Sequence, residues 1–211
     1  MAIGDYVKTT YVAGTTGITA AHLNNIENKV YELDASIVGG LVAINDLNGL
    51  TGVTLSQVLT DDAYASEGKC TQAVTTNADV TLASIIATTG SLFVPISKFG
   101  YGKYSFSIRA KTDNATAVTA VMQGIVSAKN DAGNYIALAT VSFLGTDFAN
   151  GAGDYSFLYV PFELKHGLST GVLASTLDLK FEVIAKGSIT NNVTISTDML
   201  GVVAVGPAAY A

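Results

Sequence analysis

Charge is scarce in this chain. Only 13% of its 211 residues are Asp, Glu, Lys or Arg, about half the share of an ordinary soluble domain. The 11 Lys and Arg never cluster, and the formal net charge is −6. A protein that neutralises phosphates needs a concentrated basic face, so nucleic acid is excluded as a partner. Cysteine occurs once, at Cys70, and histidine twice, at His22 and His166. One cysteine allows neither an intrachain disulfide nor a multi-cysteine zinc site. The two histidines have no metal-ligand spacing. Tryptophan is absent. Nowhere do about 18 apolar residues run together, so no membrane-spanning helix is expected. The opening Met1-Ala2-Ile3-Gly4-Asp5-Tyr6 has neither a basic nor an apolar leader region, which predicts no secretory signal.

Catalytic patterns are missing as well. There is no Gly-x-Ser-x-Gly elbow and no phosphate-binding Gly-x-x-x-x-Gly-Lys loop. A histidine base would have to be His22, at a solvated helix position, or His166, in a Leu-Lys-His-Gly turn. The carboxylates Asp61, Asp62, Asp131, Asp147, Asp154, Glu163, Asp178 and Asp198 are scattered and read as solvated loop acids. A glycosidase would need two of them facing each other across a cleft. No Asp-x-Asp-x-Asp calcium loop occurs, although dispersed loop oxygens leave a calcium site open. The chain therefore reads as a non-enzyme, with no cofactor and no metal assigned.

What the chain does have is abundant Ala, Val, Ile and Thr, together with 21 Gly. The β-branched residues among them suit pleated, half-buried surfaces. The low charge fits either a surface hidden against other subunits or a neutral surface rich in Thr and Ser. Four sections follow one another: a polar, turn-rich segment over 1–18, a helical pattern over 19–47, a linker over 48–62, and short alternating runs over 63–211.

The helical section carries the sharpest periodicity. Leu23, Ile26, Val30, Leu33 and Ile37 are spaced three and four apart, the a and d positions of a heptad repeat. Thr19 is placed to cap the first turn. The register runs on past Gly39-Gly40, which should loosen the helix, to Ile44 at a and Leu47 at d. From Thr19 to Val38 such a rod would be roughly 30 Å long, marginal alone and in need of something to pack on. Two readings stand: self-association, with Leu at a and Ile at d leaning towards a trimer, or packing on the chain's own β-domain.

The last section reads as strands broken by Gly, Asn and Asp. Candidates are Gln72–Leu82, Gly102–Thr112, Thr116–Ser127, Tyr135–Phe143, Asp154–Leu164, Leu177–Ala185, Val193–Thr197 and Met199–Val205. Pro161 marks an edge strand or a bulge. Eight strands without intervening helices predict a mainly β fold: a sandwich of jelly-roll type behind a short N-terminal coiled-coil helix.

Residues Tyr6 to about Glu32, including Tyr11-Val12-Ala13-Gly14-Thr15 and Ile18-Thr19-Ala20-Ala21-His22-Leu23-Asn24-Asn25-Ile26-Glu27, resemble the N-terminal segments of phage virion proteins of the tail-fibre, baseplate or head-fibre kind. Gly102–Lys111 and Leu177–Val183 are similar to stretches of jelly-roll modules in carbohydrate-binding and virion fibre proteins. The resemblance implies a homotrimeric virion structural protein, a fibre or decoration, made in the host cytoplasm. It would attach by residues 1–18 to capsid or tail proteins and display β-domains towards a host-surface glycan. A carbohydrate-binding module acting without assembly is the alternative; the absence of Trp weighs against it, although the 10 Tyr could substitute. A small hydrolase is the third class. The a/d stripe predicts a multiple of 21.7 kDa when the mass of the full chain is measured in solution; a strict monomer would end the assembly reading.

Overall fold

The protein is described here by a computed structural model, which covers residues 41–55, 59–87, 102–130, 132–148, 154–164, 178–187 and 192–207. The chain divides into two units, Met1–Val38 and Gly39–Ala211, and every described residue lies in the second. The heptad residues Leu23, Ile26, Val30, Leu33 and Ile37 fall outside the described residues, as do the proposed coiled coil and the 1–18 segment.

The strands are β1 (Val42–Ala43), β2 (Val53–Leu55), β3 (Thr60–Asp61), β4 (Lys69–Thr75), β5 (Val80–Ala87), β6 (Gly102–Thr112), β7 (Ala120–Lys129), β8 (Tyr135–Leu144), β9 (Ser156–Leu164), β10 (Leu179–Ala185) and β11 (Val193–Pro207). One helical turn, α1 (Ile44–Leu47), follows β1. Sheet A has the order β3-β4-β11-β6-β9, with β1 beside β11, and sheet B the order β2-β5-β10-β7-β8. Every pairing among the described strands is antiparallel. The eight longer strands thus lie as 4-11-6-9 over 5-10-7-8, the jelly-roll order in which consecutive strands keep changing sheet.

Alternation explains the packing. β10 buries Leu179, Phe181, Val183 and Ala185 and half-exposes the residues between them. β6 sends Tyr104, Phe106, Ile108 and Ala110 to the same core. Pro161 lies on β9, the edge strand of sheet A, where a missing N–H is tolerated.

Three sequence expectations are corrected. Gln72–Leu82 is not one strand: β4 ends at Thr75 and β5 begins at Val80, because Thr76-Asn77-Ala78-Asp79 carries the chain from one sheet to the other. Val193–Thr197 and Met199–Val205 are one strand, β11, with register shifts at Thr197/Met199 and Ala204/Gly206. Residues 48–62 are not a free linker. β2 pairs with β5, and Leu50, Val53, Leu55 and Leu59 pack on the core. The turn into β2 needs Gly52, at φ +81°, where a Cβ would stand 2.6 Å from the Ile86 carbonyl oxygen.

Ile44 and Leu47 are also relocated. Both are fully buried in the core of the sandwich, so neither side chain is presented to a second subunit. β1 binds the chain to β11 through Val42 and Ala43, and only one helical turn follows. In that turn the i and i+3 side chains share a face by geometry alone, which imitates a heptad.

Phe181 joins the two sheets at the centre. Its ring centroid lies 5.2 Å from that of Phe106 and 6.0 Å from that of Phe162, both on sheet A. Tilted and edge-on pairs of this kind add to the area they bury. Phe181→Ala should lower the unfolding free energy by about 3–5 kcal/mol, read from the urea midpoint of the full chain; a change below about 1 kcal/mol would contradict a central inter-sheet role.

Candidate functional site

The outer face of sheet A collects the aromatic and charged residues that the core does not use. On β6 the residues between the core positions are Lys103, Ser105, Ser107, Arg109 and Lys111. Beside them, β9 presents Phe157, Tyr159, Pro161 and Glu163 between its buried residues. Register then sets three rows across β11, β6 and β9: Met199–Arg109–Phe157, Gly201–Ser107–Tyr159 and Val203–Ser105–Pro161. Phe157 is 48% and Tyr159 54% exposed. They are two positions apart on one strand, about 6.6 Å along it. The neighbours of Tyr159 across the sheet are Ser107 and Gly201, so its ring stands above a floor of small residues.

One end of this face is closed by a strap, Asp62–Gly68, between β3 and β4. The strap is held in shape by its own turns: the Asp62 amide donates to the Gly68 carbonyl at 3.0 Å and the Ala65 amide to the Asp62 carbonyl at 3.0 Å. Gly68, at φ +69°, closes it. The strap is pinned to the sheet by the ion pair of Lys111 with Asp62 and through Asp198, which is itself ion-paired with Arg109 within the sheet. The Ser66 amide donates to Asp198 Oδ2 at 2.7 Å, and the Tyr155 hydroxyl to Asp62 Oδ2 at 3.0 Å. Arg109 lies 4.6 Å from the Tyr155 ring centroid and 6.0 Å from that of Phe157, and Lys111 lies 5.0 Å from Tyr155, within cation–π range. Tyr64 rides on top of the strap, 74% exposed.

β11 carries a bulge at this point. Thr197 pairs with Ala110 and Met199 with Arg109, which leaves Asp198 as the extra residue. Val193, Ile195 and Thr197 alternate inward, so Asp198 falls on the outer face, and the inserted residue keeps Met199 on that face as well, both beside Arg109.

Electrostatics follow from burial. The Asp198 side chain is fully buried and its Oδ1 has no hydrogen-bond partner. Burial raises its pKa above the ordinary 3.8, more than the Ser66 amide and Arg109 lower it. For Asp62, burial acts upward too, but hydrogen bonds from Lys111, the Tyr64 amide and the Tyr155 hydroxyl outweigh it and hold the carboxyl below 3.8. Burial drives the Tyr155 phenol far above its usual range. It also raises the buried Cys70 thiol, which favours the unreactive protonated form.

Most of the scattered carboxylates are engaged elsewhere or covered, and Asp154 is exposed. Asp61 pairs with Lys69, and Asp178 with Lys129 at 3.3 Å. Asp147 accepts from the Leu144 amide at 2.7 Å. Asp62 and Asp198 lie close enough to influence each other, but both are buried and each is held by a cation. They form the base of the strap rather than an acid–base pair open to substrate. His22, His166 and Asp131 lie outside the described residues. Among the described residues, no group of three or more His, Cys, Asp or Glu is arranged to hold a metal ion, and no helix is long and apolar enough to cross a membrane.

Sequence reading missed Tyr64, Phe157 and Tyr159. The signal was the run Phe157-Leu158-Tyr159-Val160, apolar at every position where an ordinary surface strand alternates.

No protein-family model matches the chain, and no curated protein matches its sequence. Solved structures similar to it include a family 35 carbohydrate binding module from Clostridium thermocellum, at 13% identity and a TM-score of 0.42, covering 78% of this chain and 98% of that one. A family 11 carbohydrate-binding module of the cellulosomal cellulase Lic26A-Cel5E of Clostridium thermocellum has 13% identity and a TM-score of 0.43, with 79% and 95% covered. The xylan-binding module CBM15 has 9% identity and a TM-score of 0.41, with 81% and 99% covered. At these scores the likeness carries no argument about ligand, which has to rest on the side chains.

The lowered pKa of Asp62 makes a signed prediction. Its folded carboxyl holds a proton less tightly than the unfolded one, so its contribution is complete above pH 3.8 and is lost as pH falls through the folded value. Asp62→Asn should cost about 1–3 kcal/mol at neutral pH by stranding Lys111. That deficit should shrink in urea titrations taken below pH 3.8; a deficit independent of pH would refute the assignment.

Proposed function

We propose that the sandwich is a non-catalytic glycan-binding module whose binding surface is the outer face of β6, β9 and β11. The observation that carries this is the pair Phe157 and Tyr159, exposed at alternate positions of β9 beside the small residues Ser107 and Gly201. Exposed rings grouped on one face mark an interaction surface more often than chance. A ring face takes the C–H face of a sugar by stacking, and its polar surroundings take the hydroxyls. Ser105, half-buried, supplies a hydroxyl within the same rows. Arg109, 6.0 Å from its ring centroid, flanks Phe157 on one side, which reduces the side-chain entropy lost on binding. The reading rests on this site and not on the fold, since jelly rolls host unrelated activities.

A second reading concerns assembly and is compatible with the first. The stripe Leu23, Ile26, Val30, Leu33 and Ile37 supports a homotrimer, and the resemblance of residues 6–32 supports a fibre or decoration protein of a virion, with capsid or tail proteins as partners. Three copies of a weak glycan site on one stalk would bind a polymeric surface with an avidity well above that of a single site.

Isothermal titration against a panel of soluble polysaccharides tests the binding face. Tyr159→Ala should weaken binding at least about tenfold, that is by about 1.4 kcal/mol, with the circular dichroism spectrum unchanged. Wild-type protein that binds no glycan of the panel, or Phe157→Ala and Tyr159→Ala variants that both bind like wild type, would end the proposal.

A further inference from the structure

Among the described residues, each cation of this face stands beside a carboxylate. Of these cations, β6 presents three, Lys103, Arg109 and Lys111. Arg109 is ion-paired with Asp198 and Lys111 with Asp62. Lys103 lies directly across the ladder from Glu163, at the distance where cross-strand pairs of opposite charge attract. The next strands add no further cation to the face: β4 contributes Cys70, Gln72 and Val74, and β11 contributes Ser196, Asp198, Met199, Gly201, Val203 and Val205. The strap adds one more carboxylate, Glu67, whose Oε2 accepts from the Asn45 side-chain amide at 3.5 Å. Among the described residues of the face, three positive charges therefore meet four negative ones.

From this balance we infer that the glycan taken by the face is uncharged: a polymer of neutral sugar rings, not a uronate, sulfate or phosphate-bearing one. The inference rests on the proposed glycan-binding function and narrows it. An acidic polymer needs free guanidinium or ammonium groups to replace its hydration. Here Arg109 and Lys111 are already committed. Drawing either away would strand a buried carboxylate: Asp198 is fully covered and Asp62 nearly so. Leaving a buried charge without its partner is strongly unfavourable. Glu67 would in addition repel the incoming anion. A neutral ring meets none of these obstacles, because stacking on Phe157 and Tyr159 requires no charge.

The contrast with basic polymer-binding faces is one of salt dependence. Binding that releases counterions weakens steeply as salt rises, whereas stacking and burial do not. The full chain is run in affinity gels containing either neutral polysaccharides (xylan, mixed-linkage glucan, mannan) or acidic ones (polygalacturonate, alginate), each at low and high sodium chloride. The expected result is retardation by at least one neutral polymer, at least tenfold stronger than by any acidic one, and unchanged by salt. The variant Glu163→Gln, which removes the carboxylate facing Lys103, should gain retardation on the acidic polymers at low salt and lose it at high salt. Wild-type retardation mainly by acidic polymers, abolished by salt, would overturn the neutral-ligand inference and leave the glycan-binding reading standing. A Glu163→Gln variant indifferent to acidic polymers would also overturn it, since matched charge would then not be what excludes them. Retardation by no polymer at all would instead overturn the glycan-binding reading itself.

Discussion

The mutual burial of the two inner sheet faces around Phe181 is the constraint from which the rest follows. Phe181 on sheet B meets Phe106 and Phe162 from sheet A, and the side chains packed around them include Ile108, Leu179, Met122 and Leu200, all fully buried. Once that layer is set, pleat alternation leaves no choice about the other face. If Phe106 and Ile108 point in, Ser105, Ser107 and Arg109 point out. If Leu158 and Val160 point in, Phe157 and Tyr159 point out. The outer face is thus a consequence of the core. Gly124, whose Cβ would lie 2.5 Å from Val160 Cγ2, shows how closely the sheets approach where a side chain is absent.

The bulge at Asp198 is one of several places where strict pairing is broken, and it lies under the strap. Counting on from the Thr197–Ala110 pair, Asp198 would face Arg109 in any case; the inserted residue brings Met199 opposite Arg109 as well. The Asp198 carboxylate ties Ser66 to the sheet. A buried ion pair of this kind is not evidence of extra stability, because desolvating both partners costs about as much as the pairing returns. The unpartnered Oδ1 makes the balance worse. What the pair supplies is geometry: it holds Arg109 against Tyr155 and Phe157 and fixes where the strap begins and ends. The low pKa of Asp62 and the raised pKa of Asp198 belong to one cluster and have opposite signs, because Asp62 collects three donors while Asp198 is left one oxygen short.

The fold class was legible from the sequence because alternation is a local signal. The runs Tyr104–Ile108 and Leu179–Val183 state their inner faces without reference to anything else. Strand ends were less legible. Thr76 to Asp79 looked like strand interior between Val74 and Val80, since the crossing between sheets is set by a tertiary decision that a short polar stretch does not reveal. The site was harder still. Arg109, Asp62 and Asp198 lie far apart in sequence and meet only through register, and no spacing rule connects them. Phe157 and Tyr159 were visible as residues but not as a face, because knowing which side of β9 is outside requires knowing where its neighbours lie.

Ile44 and Leu47 show how a true local pattern can support a wrong extension. The spacing from Leu23 to Ile37 and the spacing from Ile44 to Leu47 obey the same arithmetic, yet the second pair serves a single turn tucked into a β-sandwich core. Any helical turn with a buried side repeats at three or four, so two apolar residues carry little information about partners, whereas five in succession carry more. The glycine pair at 39–40 is the better boundary mark. It coincides with the division of the chain into its two units, and immediately after it the chain enters sheet A beside Met199 and Leu200. If the first unit does assemble, the sandwich joins it through a tether fixed to β11, the strand that also carries Asp198. The chain thus enters the sandwich at β11, the central strand of the sheet whose outer face is proposed to bind.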